Sequence, residues 1–137
     1  MIFKYPYTLT KDDGVYFVQF DDIQEAFTYG HTVEEAAFNA VEVLTGVLAV
    51  RLQHNEPVPE PSLAKPGQLV AMPSPQVQSA LLMRQARGGR TLSDLANAMQ
   101  SSWPVVQRLE NPQHSPTLKQ LDKAARALGK RLVLSLE

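Results

Sequence analysis

Apolar positions change their period along the chain, and the change divides it in two. Residues 2–9 (IFKYPYTL) and 15–20 (VYFVQF) are dense in aromatic and β-branched side chains. They flank Lys11-Asp12-Asp13-Gly14, a turn with glycine at its end, and together predict a β-hairpin. Pro6 cannot donate to a ladder, so the first strand is expected at an edge or beginning after it. A shorter third strand is expected around residues 26–30. Thr32 with Glu35 three positions on reads as a capping box that opens a helix. Val33, Ala36, Ala37, Ala40, Val41, Leu44, Val47 and Leu48 keep helical spacing and carry it to about Leu52. Three prolines within residues 54–61 stop it. Residues 68–72 (QLVAM), between Gly67 and Pro73, read as a fourth strand, which gives βββαβ with the helix across one sheet face.

From Pro75 the pattern is helical. Residues 75–87 predict one helix, ended by Gly88-Gly89. Thr91, with Asp94 at the box position, caps the next helix, which runs to about Met99. Ser102 caps a third, whose Pro104 is tolerated in the first turn. Ser115-Pro116 reads as the N-cap and first position of a fourth helix, 116–128, closed by Gly129. Residues 131–136 (RLVLSL) alternate and predict a final strand, paired either across a dimer or onto the chain's own N-terminal sheet. The expected fold class is therefore α+β. Residues 1–73 form a βββαβ domain, and residues 74–137 form an all-helical domain ending in a strand.

Composition narrows the function classes. The chain has 137 residues, 44% hydrophobic and 20% charged, as in a globular protein. No apolar run approaches the roughly 20 residues that span a bilayer, and the first residues lack a secretory signal pattern. With no cysteine, disulfides, thiolate metal sites and cysteine nucleophiles are excluded, and a cytoplasmic location is expected. The net charge of −1 hides an asymmetry: residues 1–74 carry four Lys/Arg against ten Asp/Glu, and residues 75–137 carry nine against four. A basic half can neutralise phosphates and an acidic half can steer toward a basic partner, although two solvated surfaces could simply differ.

The segment from Thr91 to Gly129 holds the candidate chemistry. Two short helices joined by a three- to four-residue turn suit a bihelical reading unit, whose second helix must reach base edges in the major groove. Leu95, Ala96, Val106 and Leu109 should face the core, leaving Trp103, Pro104, Gln107 and Arg108 outward. A glutamine amide can bind adenine N6/N7 in bidentate fashion, and an arginine can bind guanine or phosphate. Arg108 could equally pair with Glu110 or a neighbour and only stabilise the fold. Trp103 and Pro104 offer apolar surface to a thymine methyl. Thr91 and Ser102 are read first as caps whose hydroxyls or adjacent amides can also touch phosphate. Lys119 is a phosphate candidate, as are Arg84, Arg87, Arg90 and Lys123, each otherwise a solvated charge.

The pattern Thr-x-x-x-Leu-Ala, then Ser-x-x-x-Val-x-Arg-Leu-Glu-Asn, then Ser-Pro-Thr-Leu-x-x-Leu-x-x-Ala-x-Ala-Leu-Gly resembles the Cro/C1-type (Xre) helix-turn-helix over about residues 91–129. That resemblance implies DNA binding. Leu92 stands where the family usually has a DNA-contacting glutamine. Gln100 stands near its usual glycine, so a looser turn is expected there. The first half, with YPYTLTKDDGVYFVQF, GHTVEEAAFNAVEVL and EPVPEPS, is similar to the HicB antitoxin family over roughly residues 3–73. Asp21-Asp22-Ile23-Gln24 replaces that family's usual Pro-Asp-Leu-Pro-Gly run. The resemblance implies a partial ribonuclease-H-like fold, binding of a HicA-type mRNA-cleaving toxin, and autorepression of the toxin–antitoxin operon. A homodimer or higher even oligomer on operator double-stranded DNA is expected, because such readers bind half-sites about 34 Å apart.

Two other classes compete with this reading. One is a stand-alone repressor whose N-terminal domain senses a small molecule. The other is a metal-dependent nuclease using Asp21, Asp22, Glu25 and Glu42. Adjacent Asp21 and Asp22 on a strand would point to opposite faces, and His31, His54 and His114 form no partner pattern. No catalytic residue, cofactor, metal or membrane association is expected.

Overall fold

In the computed structural model, which describes residues 3–137, the chain divides into two units. The first ends at Gln78 and the second begins at Ser79. Ile2, placed in the first strand by its sequence, lies outside the described residues.

The first unit is an antiparallel sheet of four strands in the order β3-β2-β1-β4. These are β1 (Tyr5–Asp12), β2 (Val15–Phe20), β3 (Phe27–Gly30) and β4 (Leu69–Ala71). The β1–β2 ladder runs out to Asp12 opposite Val15, so only Asp13 and Gly14 form the turn. Both have positive φ, 49° and 76°, as a two-residue primed turn requires. Pro6 corrects an expectation. It lies inside β1, an inner strand, paired with Val70 of β4. Its carbonyl accepts from the Asp21 amide at 3.2 Å, so its backbone faces the β2 side. The β1–β2 ladder begins only at Tyr7 opposite Phe20, so the missing N–H costs no ladder bond.

Helix α1 (Val33–Gln53) starts where the Thr32 hydroxyl accepts from the Glu35 amide at 3.0 Å. Ala36, Ala40, Leu44, Leu48 and Leu52, spaced by four, form its buried stripe. Val33, by contrast, is largely exposed. Small residues let helix and sheet close: a Cβ on Gly30 would sit 2.4 Å from the Ala36 nitrogen. Tyr5, Tyr7, Val18, Phe20 and Ala71 fill the covered face, with Tyr7 and Phe20 rings 5.3 Å apart. Strand alternation puts Thr8, Thr10, Phe17, Gln19, Phe27 and Tyr29 on the other face, where Phe17, Phe27 and Tyr29 are exposed. The proline-rich stretch after α1 is tied down by Tyr5, whose hydroxyl donates to the Pro59 carbonyl at 2.7 Å, and by Asp22, which accepts from the Ser62 amide at 2.8 Å.

The unit boundary falls within α2 (Pro75–Arg87). The second unit continues through α3 (Leu92–Ala98), α4 (Trp103–Leu109) and α5 (Leu118–Ala127). Met83, Leu95, Ala96, Met99, Val106, Leu109, Ala124 and Leu128 make its core. Between α3 and α4 the turn is closed rather than loose. Gln100 takes φ +52°, its amide donates to the Asn97 carbonyl, and the Ser101 amide donates to the Ala96 carbonyl at 2.9 Å.

Two further expectations need correcting. Helix α5 starts after Thr117, not Ser115: Thr117 and Gln120 form a reciprocal capping box that satisfies two amides, which Ser115-Pro116 cannot match. Residues 131–137 are not a strand in the chain, and the four-stranded sheet does not include them. A strand needs a neighbour for its backbone groups, and the rest of this unit is helical.

Candidate functional site

Helix α4 is two turns long, and its sequence fixes which side faces out. Val106 and Leu109, three apart, are buried against α3 and α5 core residues. Trp103, Pro104, Gln107 and Arg108 are therefore brought together as i, i+1, i+4 and i+5 on the opposite face, and all four are exposed. Trp103 is 45% exposed, which for an indole means a large apolar plate in water. The face thus combines that plate, an amide able to donate and accept at once, and a guanidinium fork.

What holds α4 in place is a side-chain clamp that the sequence did not reveal. Glu110, the C-cap of α4, accepts from Arg87 Nε at 2.6 Å and Nη2 at 3.0 Å, and Arg87 Nη1 donates to the Arg90 carbonyl at 2.6 Å. The end of α2, the following turn and the end of α4 are locked by one guanidinium. The Glu110 hydrogen bond holds the Arg87 pKa above its ordinary value. This resolves the alternative raised for Arg108. Glu110 is taken by Arg87, and Arg108 forms no salt bridge among the described residues. It also removes Arg87 from the phosphate candidates, since its fork is already filled. The only hint in the sequence was an acid at one helix end and a base in the last turn of another.

The remaining candidates sit on neighbouring elements. Thr91 is the exposed N-cap of α3, with its Oγ1 accepting from the Asp94 amide at 3.0 Å and Asp94 returning the bond to the Thr91 amide. Ser102 is the N-cap of α4 by position, but its hydroxyl caps nothing. Pro104 has no N–H, and the Val105 amide is already bound to the Ser102 carbonyl, so the hydroxyl is left exposed for an outside acceptor. Lys119 is exposed in the first turn of α5. Arg108 shares a recess of about 120 Å³ with Val105, Leu109, His114, Ser115, Pro116 and Gln120, so the α4 face continues toward the start of α5.

In the first unit the four carboxylates weighed as a nuclease cluster do not converge. Asp21, Asp22 and Glu25 follow β2 rather than lying on a strand, and Glu42 lies within α1. Asp21 accepts from Gln68 Nε2 at 2.8 Å, Asp22 from Ser62, and Glu25 forms a two-pronged pair with Arg51 at 2.7 and 2.9 Å. The Arg51 hydrogen bond lowers the Glu25 pKa. Among the described residues no three His, Asp or Glu side chains group to hold a metal ion, and no helix is long and apolar enough to cross a membrane. An aromatic sheet face also went unnoticed in the sequence. Phe17 and Tyr29 are cross-strand partners with rings 6.2 Å apart, and Phe27 beside them is 62% exposed. Its signal was alternation, with Phe17 and Gln19 sharing a face opposite Val18.

Residues 4–77 match a family model described as HicB-like antitoxin of bacterial toxin–antitoxin systems. Antitoxin HicB 1 of Photorhabdus laumondii is 36% identical over 137 residues, covering 98% of this chain and 87% of the relative. Antitoxin HicB of Escherichia coli strain K12 is 34% identical over 134 residues, covering 96% and 97%. Among solved structures, the N-terminal domain of Burkholderia pseudomallei antitoxin HicB is 31% identical, covering 52% of this chain and 95% of that one, with a TM-score of 0.43. With a match over more than half the chain and relatives aligned along nearly all of it, the chain belongs to the HicB-like antitoxin family of bacterial toxin–antitoxin systems.

Proposed function

We propose that this antitoxin binds and neutralises a HicA-type mRNA-cleaving toxin through residues 1–73, read as a partial ribonuclease-H-like domain. Residues 74–137 repress its own operon as a Cro/C1-type helix-turn-helix, with α3 positioning and α4 reading. It acts in the cytoplasm by binding and not by catalysis, as a homodimer on operator DNA. Thr91, Ser102, Trp103, Pro104, Gln107, Arg108 and Lys119 are its DNA-facing residues. The observation that carries the DNA reading is the outward face of α4: Trp103, Pro104, Gln107 and Arg108 exposed over a core-anchored, clamped helix. The basic balance of residues 75–137 supports it, because phosphate neutralisation supplies most sequence-independent affinity. Family membership implies a toxin partner, and the acidic first half suits a cationic one.

Co-expression with a small basic ribonuclease of the HicA type tests the reading. Rescue of growth, co-purification of the two chains and a gel shift on the shared promoter are expected. A shift without rescue or co-purification would instead make the chain a stand-alone repressor, and rescue without a shift would remove the DNA role.

A further inference from the structure

Three aromatic rings stand in water on the sheet face opposite α1. Register arranges that face in cross-strand rows. Asp12 stands opposite Val15 at the hairpin end, Thr10, Phe17 and Tyr29 form the next row, and Thr8, Gln19 and Phe27 the one after. Phe17, Phe27 and Tyr29 are 46%, 62% and 54% exposed. Phe17 lies directly opposite Tyr29 and diagonally from Phe27, within reach of both for side chains of this size. Rings grouped in this way, rather than scattered singly, mark a contact surface. Charge on the face has one sign. None of these positions holds Lys or Arg, and Asp12 forms no salt bridge among the described residues. At the other end Gln68 Nε2 donates to both Thr8 Oγ1 and Asp21, at 3.0 and 2.8 Å, and so holds a second carboxylate beside the face. Lys65 comes within 3.9 Å of Asp21, but its side chain is 77% exposed and free to turn away.

We infer that the toxin docks on this face, with lysine or arginine side chains of that cationic partner lying on the Phe17, Phe27 and Tyr29 rings and Asp12 and Asp21 drawing them in. This rests on the toxin-binding reading above and adds the surface and the contact chemistry. A cation within about 6 Å of a ring centre is attracted by the negative face of the ring, more strongly once water is excluded. The chain already makes one such contact, with Lys11 Nζ 5.5 Å from the centre of the Tyr16 ring. Carboxylates at the rim speed encounter with a basic protein and fix its orientation. Single-stranded RNA also stacks on exposed rings, but it needs basic side chains along its phosphates, and here they would meet Asp12 and Asp21 instead. A second copy of this chain would set the same acidic face against itself, like charge toward like.

Calorimetric titration of the full chain with a purified HicA-type toxin tests this. Phe27→Ala should weaken binding roughly tenfold, as truncation of an interface anchor does. Phe27→Lys should weaken it further, because it sets a like charge against a cationic partner. Phe27→Tyr, which keeps a ring, should bind as the parent does. Val50→Lys, at an exposed position of α1 on the other side of the sheet, should also match the parent. Thermal unfolding checks that each variant is folded, and two replacements of one exposed side chain guard against the loss of either. Equal toxin affinity for the parent, Phe27→Ala and Phe27→Lys overturns the docking face and leaves toxin binding standing. No binding by the parent overturns both. Binding of a single-stranded oligoribonucleotide by the parent, lost in Phe27→Ala while toxin binding is kept, makes the face a base-stacking platform and overturns the inference too.

Discussion

At Gln100 the backbone turns through φ +52°, a region that L side chains other than Asn and Asp enter at a cost and glycine enters freely. The two hydrogen bonds that close this turn form regardless, so a glycine at this position is dispensable for shape but not for energy. Gln100→Gly should stabilise the helical unit by about 0.5–1 kcal/mol, net of glycine's greater unfolded-state entropy. Thermal unfolding should show a midpoint roughly 3–6 °C higher. Tyr5 makes a different residue-scale statement. Burial, helped by Asp22, pushes its phenol pKa from its ordinary value near 10 up to about 12, and its hydroxyl holds the Pro59 carbonyl. A raised folded-state pKa means its stabilising contribution is complete below about pH 10 and is lost as pH climbs toward 12. Tyr5→Phe should cost about 1 kcal/mol at neutral pH in denaturant unfolding. Its deficit relative to the parent should shrink between pH 10 and 12, because the variant has no phenol there to ionise.

At the scale of elements, the helix that faces outward is only as well defined as its anchors. Two buried side chains fix the roll of α4, and Arg87–Glu110 fixes its end, with side chains 18% and 13% exposed. A half-buried, two-pronged pair lies between the surface and interior regimes, so Arg87→Ala should destabilise by about 2 kcal/mol. Hydrogen exchange should report faster opening of α4 amides in particular, and Arg87→Lys should restore only part, since a lysine cannot reproduce the fork. Elements whose signals are local were legible before the structure. The Thr91 box, the hairpin, the α1 stripe from Ala36 onward and the break at residues 54–61 stand where the pattern put them, and Thr32 caps α1 through its hydroxyl alone. The misses came from competition or partnership. Thr117–Gln120 outcompeted Ser115-Pro116, and Pro104 together with the Ser102 carbonyl left the Ser102 hydroxyl nothing to cap. Pro6 entered an inner strand because its N–H side lies past the end of a ladder, which only the register reveals.

For the whole molecule, the opposite charge balance of its halves is the feature most directly readable from composition, and it suits the proposed division of labour between a cationic protein partner and DNA. The outward positions of α4 could be named in advance because period 3.6 leaves few choices once Val106 and Leu109 face inward. The Arg87 clamp could not, because it joins residues 23 apart in sequence through geometry that no periodicity encodes. The claim on which the functional account rests is that Gln107 reads bases while Lys119 meets phosphate. Affinity of the full chain for its own promoter and for a scrambled duplex, measured across a salt series, tests this most directly. The account predicts that Gln107→Ala narrows the gap between the two duplexes by about 1–3 kcal/mol with the salt slope unchanged. Lys119→Ala should weaken both duplexes alike and lower the slope by about one. Equal loss on both duplexes for Gln107→Ala, with the gap intact, would contradict it.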